Sequence, residues 1–144
     1  MKTYADTSFL VRIYLTQSDS HKALAFMRDF RDALPFTPLH RHELRNAIRL
    51  AVFRKEIDAA RRKAAFEDIE SDLADGILAH VPIPWTNAFR ESEQLGMAHT
   101  EDMGVRGIDL LHTGVAIALG AKEFLTFDNR QADFAKVAGL KVKP

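Results

Sequence analysis

Four acidic side chains stand where carboxylates can do chemistry: Asp6 in YADTSFL, Glu43 in HRHELRNAI, Asp109 in RGIDLLHTGVAIALG and Asp128 in FLTFDNRQADFAKVAGLKV. Asp6 and Asp128 each follow a strand-like stretch, while Asp109 and Glu43 fall within the first turn or so of a helix. Each has an ordinary structural use. Asp6, Asp109 and Asp128 suit helix N-caps, and Glu43 suits a first turn, where the helix dipole favours negative charge. Brought together from four distant segments without basic partners, however, they would repel, and such a cluster persists by binding a hard cation. Magnesium or manganese is the natural occupant. An oxygen-ligated divalent ion acidifies bound water and stabilises charge on a phosphoryl group, which is the chemistry of phosphodiester hydrolysis. No His or Lys can be placed beside Ser8 from sequence, so a serine nucleophile lacks its base.

These acids need elements that place them at one edge. Lys2 to Ala5 reads as a strand, Phe9 to Leu15 as a helix, and a second helix starts near Asp19, with Leu24, Met27, Phe30 and Leu34 at helical spacing. Phe36 and Thr37 suit a very short edge strand between prolines. Thr37-Pro38 then opens a helix to about Lys55, and Asp58 caps another that stops near Gly76. Ile77 to Ile83 is strand-like, and Trp85 to Met97 is helical. Gly104 and Gly107 flank a loop, Asp109 opens an apolar helix closed by Gly120, Glu123 to Phe127 is a strand, Arg130 to Ala138 a helix, and Leu140 to Val142 a last strand. Alternating strands and helices predict an α/β fold, a three-layer α/β/α sandwich on a central, mainly parallel sheet. Ligands of such sheets bind beyond the carboxyl ends of the strands. That is where Asp6 and Asp128 fall.

With 144 residues, 47% hydrophobic and 28% charged, the chain has the composition of an ordinary globular protein, and it is expected to form a single domain over residues 1–144. Basic and acidic residues number 20 each, so no bulk field draws it to an anionic partner, which must meet a local patch. The absence of cysteine excludes disulfides, thiolate nucleophiles and zinc–thiolate sites. Asp6 and Arg12 interrupt what would be the core of a signal peptide, and no apolar run is long enough to span a membrane. The expectation is a cytoplasmic protein with no membrane partner.

The order of the acids, the DLLH segment at Asp109 to His112 followed by a small-residue helix, and the Thr126-Phe127-Asp128 strand end followed by a helix and Gly139-Leu140-Lys141-Val142 together resemble PIN-domain nucleases. Within them the likeness is to VapC-type toxins of toxin–antitoxin pairs, over nearly the whole chain. The resemblance implies a PIN-like fold and a magnesium- or manganese-dependent ribonuclease. In it Asp6 and Asp109 are the principal metal ligands, and Glu43 and Asp128 complete the catalytic site directly or through water. Thr126, Thr7 and Ser8 match the family's supporting polar residues. An RNA substrate, a cognate antitoxin and a homodimer are implied with it. Where such sequences often carry Arg-Thr before the third acid, this chain has Arg106-Gly107.

Other features admit two readings. Arg41, Arg45 and Arg49 recur every four residues, within eight bases and three acids between positions 41 and 63. They are candidates for RNA phosphate contact, or a solvated helix face. The acidic run Glu67 to Asp75 is expected to face solvent. His112 shares a helical face with Asp109 and is read as supporting or packing, while His40 and His42 are read as surface histidines. Phe9, Leu10, Ile13, Tyr14, Leu24, Phe26 and Phe30 either fill the core or leave apolar surface for a partner; in the resembled family the N-terminal helices form the antitoxin groove. Two rival functions are a catalytically silent PIN-like binding module and an aspartate-based phosphotransfer protein. The complete set of acids speaks against the first. Against the second, Asp6-Thr7-Ser8 lacks the second aspartate of a haloacid-dehalogenase-like phosphatase, and no lysine stands where a receiver domain carries one.

Overall fold

The computed structural model describes residues 2–144. Along the chain run β1 (Thr3–Ala5), α1 (Thr7–Tyr14), α2 (Ser20–Asp29), β2 (Leu34–Phe36), α3 (Pro38–Phe53), α4 (Ala59–Ala74), β3 (Leu78–His80), α5 (Trp85–Met103), α6 (Gly107–Ala118), β4 (Glu123–Leu125), α7 (Asn129–Val137) and β5 (Lys141–Lys143). They pack as two compact units, one of residues 2–6 with Pro82–Pro144, the other Thr7–Val81.

In the first unit β1, β4 and β5 form a parallel sheet in the order β1-β4-β5, with Tyr4 opposite Phe124 and Phe124 opposite Val142. Tyr4, Phe124, Leu125, Val115 and Phe134 are buried at its core. The expected strand to Phe127 ends at Leu125. The Thr126 N–H still bonds to the Lys143 carbonyl, but the chain then turns so that Asp128 can cap α7. Helix α5 runs past Met97 to Met103, because nothing breaks it before Gly104, which takes a left-handed conformation with φ 67°. α5 and α6 meet at Gly114, where a Cβ would lie 2.1 Å from Ser92 Oγ and 2.7 Å from the Ala88 carbonyl oxygen.

In the second unit β2 and β3 pair in parallel, Phe36 opposite His80. The expected strand Ile77 to Ile83 is confined to Leu78–His80; the Val81 N–H still reaches the Phe36 carbonyl, and Pro82 and Pro84 then offer no donors. Phe9, Leu10, Leu44, Ile48 and Ile69 form the core. Of the apolar surplus noted above, Phe9, Leu10 and Tyr14 are buried, whereas Leu24 is 51% exposed and Ile13, Phe26 and Phe30 are half-buried. His40 is not a surface residue: it is fully buried. Its Nδ1 accepts the Thr37 backbone N–H at 3.0 Å while Thr37 Oγ1 accepts the His40 N–H, a reciprocal cap that consumes two orphan donors at the start of α3. His42 is exposed as expected.

Tyr14 carries a pH consequence. Its hydroxyl donates to Asp72 Oδ2 at 2.6 Å. Burial, and then that carboxylate, hold the phenol protonated well above its ordinary range. An unfolded chain releases the proton near pH 10, so the unfolded state binds fewer protons above that pH and stability falls as pH rises. Urea midpoints from pH 8 to 11 are expected to drop less steeply for Tyr14→Phe than for wild type; equal slopes would refute the linkage.

Candidate active site

β1 delivers Asp6 to the carboxyl edge of the first unit's sheet, where it is 5% exposed. Thr126, at the same end of β4, donates its hydroxyl to Asp6 Oδ2 at 2.6 Å, and its Oγ1 accepts the Asp128 backbone N–H at 3.0 Å. One hydroxyl thus links the first acid to the backbone of the last. Asp128 is the N-cap of α7, its Oδ1 accepting the N–H groups of Arg130 at 2.9 Å and Gln131 at 3.2 Å. The structural use foreseen for it is real, and it occupies one oxygen only.

Asp109 does not cap α6. The helix starts at Gly107, with Arg106 at the N-cap, and Asp109 lies in its first turn. There the free backbone N–H groups and the dipole favour a carboxylate. The Asp109 backbone carbonyl is held by Gln131 Nε2 at 2.9 Å and by the Thr113 hydroxyl at 3.2 Å. Gln131 is buried and ties the start of α7 to the first turn of α6. It was not singled out from sequence, although its place three residues after Asp128 is the signal that could have found it. His112, one turn after Asp109, is buried, and its Nδ1 shares a 2.6 Å hydrogen bond with the Tyr4 hydroxyl. Tyr4 also stacks on Phe124. The pair locks α6 against β1 and so sets where Asp109 stands.

Arg106, whose role the sequence left open, lies among these carboxylates: its Nε is 3.1 Å from Asp109 Oδ2 and its Nη2 3.8 Å from Asp128 Oδ2. Among the described residues no three His, Asp or Glu side chains are gathered tightly enough to enclose a metal ion. The fit to a divalent cation is one of donor chemistry. Every candidate ligand is a carboxylate, and two of them already converge on a positive charge, that of Arg106.

Glu43 belongs to the second unit. It lies in the second turn of α3, not the first, because that helix begins at Pro38. It accepts the Thr7 hydroxyl at 2.8 Å, and Thr7 is the residue after Asp6 in the sequence. Thr7 and Ser8, in the first turn of α1, are half-buried, and the Ser8 carbonyl accepts from Arg12 at 2.7 Å.

The basic stripe divides. Arg41 and Arg45 approach Glu70 at 2.9 and 3.6 Å, so this acid of the Glu67 to Asp75 run is exposed yet paired. The Arg45 and Arg49 guanidinium carbons lie 4.1 and 4.9 Å from the centre of the Phe66 ring. Burial, then the charges of Arg41 and Arg49, draw the Arg45 pKa down, with Glu70 opposing. Arg49, Arg62, Lys63 and Phe66 line a cleft of about 810 Å³ between α3 and α4. Phe66 is half-buried there.

The PIN domain family model matches residues 3–140. No curated protein matches the chain. Among solved structures it is similar to Mycobacterium tuberculosis VapC20, described as a sarcin-ricin loop cleaving toxin, with TM-score 0.70 and 16% identity over 99% of this chain and 100% of that one. Neisseria gonorrhoeae FitAcB gives 0.69 and 17% identity, over 99% and 96% of the two chains. Rickettsia felis VapBC2, bound to a DNA fragment from its promoter, gives 0.66 and 14%, over 99% and 98%. The PIN-like α/β class and parallel pairing expected from the sequence are those found.

Proposed function

Because the chain belongs to the PIN-domain family, we propose that its residues 1–144 form a single nuclease domain, a magnesium- or manganese-dependent endoribonuclease that is the toxin of a toxin–antitoxin pair. The observation that carries the reading is the linkage of Asp6 through the Thr126 hydroxyl to Asp128, with Asp109 sharing the Arg106 cation with Asp128. Asp6 and Asp109 hold the cation, and Glu43 and Asp128 complete the site. The bound cation supplies Lewis-acid stabilisation of the phosphodiester and acidifies water. The chain's own residues supply orientation. Thr126 fixes the Asp6 carboxylate, Thr7 that of Glu43, and Gln131 with Thr113 the backbone at Asp109. Ser8 has a supporting place beside Thr7. Carboxylates held in this way would need little reorganisation to receive the cation and its substrate. No covalent intermediate with the protein is required.

Purified protein, freed of any bound inhibitor, is expected to cleave cellular RNA with Mg²⁺ or Mn²⁺ and to stop with EDTA. Folded protein inert under every metal would move the reading to a binding module. The cytoplasm is the proposed location; among the described residues no helix is long and apolar enough to cross a membrane. Exposed Leu24 beside half-buried Phe26 and Phe30 supports an antitoxin surface on α2, and a homodimer is the proposed assembly.

We place RNA phosphate contact on the α3 stripe Arg41, Arg45 and Arg49, extended by Arg62 and Lys63 across the cleft. Arg49, Arg62 and Lys63 have no carboxylate partner among the described residues, so binding need not break an existing pair. Each phosphate contact to a single strand contributes a slope of about 0.7 in log affinity against log salt. Replacing these three with Gln is expected to flatten the slope by about 2. An unchanged slope would remove the cleft from the RNA interface.

A further inference from the structure

The Arg106 guanidinium lies between two of the candidate carboxylates, Asp109 and Asp128. The oxygens it meets are those the fold leaves over: Asp128 spends Oδ1 on capping α7 and turns Oδ2 to the guanidinium, and Asp109 presents Oδ2 while its backbone carbonyl is held separately. Two carboxylates facing one guanidinium carry a net negative charge, and a guanidinium cannot shed its proton to relieve crowding by a second cation. Little else anchors the Arg106 side chain. It is 66% exposed, it follows a loop whose Gly104 is left-handed, and a cavity of about 390 Å³ lined by Gly104, Val105, Asp109 and Arg130 opens beside it.

Resting on the metal reading above, we propose that Arg106 is a built-in counterion that holds Asp109 and Asp128 in the metal-free protein and must leave them when the divalent cation binds. It is a positioning residue. By neutralising part of the carboxylate charge it lets the acids stand ready without repelling one another, and by competing for the same oxygens it sets how tightly the metal is held. Metal affinity is then an exchange, one guanidinium out for one ion in. Pairs as exposed as these are individually weak, so the competition weakens metal binding without excluding it.

The test is calorimetric titration of metal-stripped, full-length protein with MnCl₂, comparing wild type with Arg106→Gln, Arg106→Lys and Arg130→Gln, each checked for folding by circular dichroism. Arg130→Gln removes the same charge from the wall of the same cavity without removing a carboxylate contact. Arg106→Gln is expected to tighten Mn²⁺ binding about threefold to tenfold, with Arg106→Lys between it and wild type and Arg130→Gln within about twofold of wild type. Equal or weaker binding by Arg106→Gln, or an equal gain in Arg130→Gln, overturns the proposal and leaves the metal site standing. Absence of Mn²⁺ binding in every variant overturns the metal site and this proposal with it.

Discussion

Asp6→Asn is expected to lower Mg²⁺-dependent RNA cleavage by about a thousandfold or more, while leaving the fold intact. The substitution changes a charge and almost no volume. Asp6 is buried at the end of β1, where a hydroxyl bond from Thr126 fixes its carboxylate. An asparagine can keep that bond through its carbonyl oxygen, so the packing of β1 against β4 should survive. It cannot keep the negative charge that draws a divalent cation to an oxygen site. Metal assistance supplies several kcal/mol of transition-state stabilisation, and each 1.36 kcal/mol is a factor of ten in rate. Single-turnover cleavage of a fluorescent RNA, read beside a thermal melt, separates the two effects. Cleavage within tenfold of wild type, from a variant that melts normally, would show that Asp6 does not hold the metal.

Gly114→Ala is expected to cost about 2 to 4 kcal/mol of stability, from one added methyl. The new Cβ would lie 2.1 Å from Ser92 Oγ, 2.7 Å from the Ala88 carbonyl oxygen and 3.0 Å from the Ser92 nitrogen. The hydroxyl could rotate away, though it would lose its 2.8 Å bond to the Ala88 carbonyl. Backbone cannot rotate, so α5 and α6 must move apart. Because α6 carries Asp109 and His112, that separation also pulls on the Tyr4–His112 bond and displaces the carboxylate. Gly96→Ala is the control, since its added Cβ would meet only the far end of the Leu110 side chain at 3.1 Å and the Thr100 hydroxyl at 3.5 Å. Its helix-propensity gain of up to about 1 kcal/mol offsets that contact, leaving stability near wild type. Urea unfolding of the two variants checks the pair, and equal midpoints would refute a close approach at Gly114.

Much of this architecture is legible along the chain because it is encoded by neighbours. Asp58 caps α4, Thr37-Pro38 opens α3, and Gly120 falls just beyond the end of α6, each a signal read over four or five residues. Asp6 directly after β1 and Asp128 at the head of α7 follow from the same local grammar. His40 shows its limit. Two histidines at alternate positions near a helix start look solvent-facing, yet one turns back to complete a cap and becomes fully buried, because a satisfied backbone donor outweighs an imidazole's preference for water.

Residue types and order along the chain determined the α/β class, the parallel pairing, several helix caps and the four acids worth testing, since periodicity and capping act over a few residues. Pairings across long stretches of sequence were decided by tertiary structure alone. These are Tyr4 with His112, Gln131 with the Asp109 carbonyl, Arg106 with Asp128, Glu70 with Arg41 and Arg45, and Gly114 against Ser92. Each depends on distances of a few ångströms set by how helices and strands pack, and no local preference specifies which of many possible partners comes within reach.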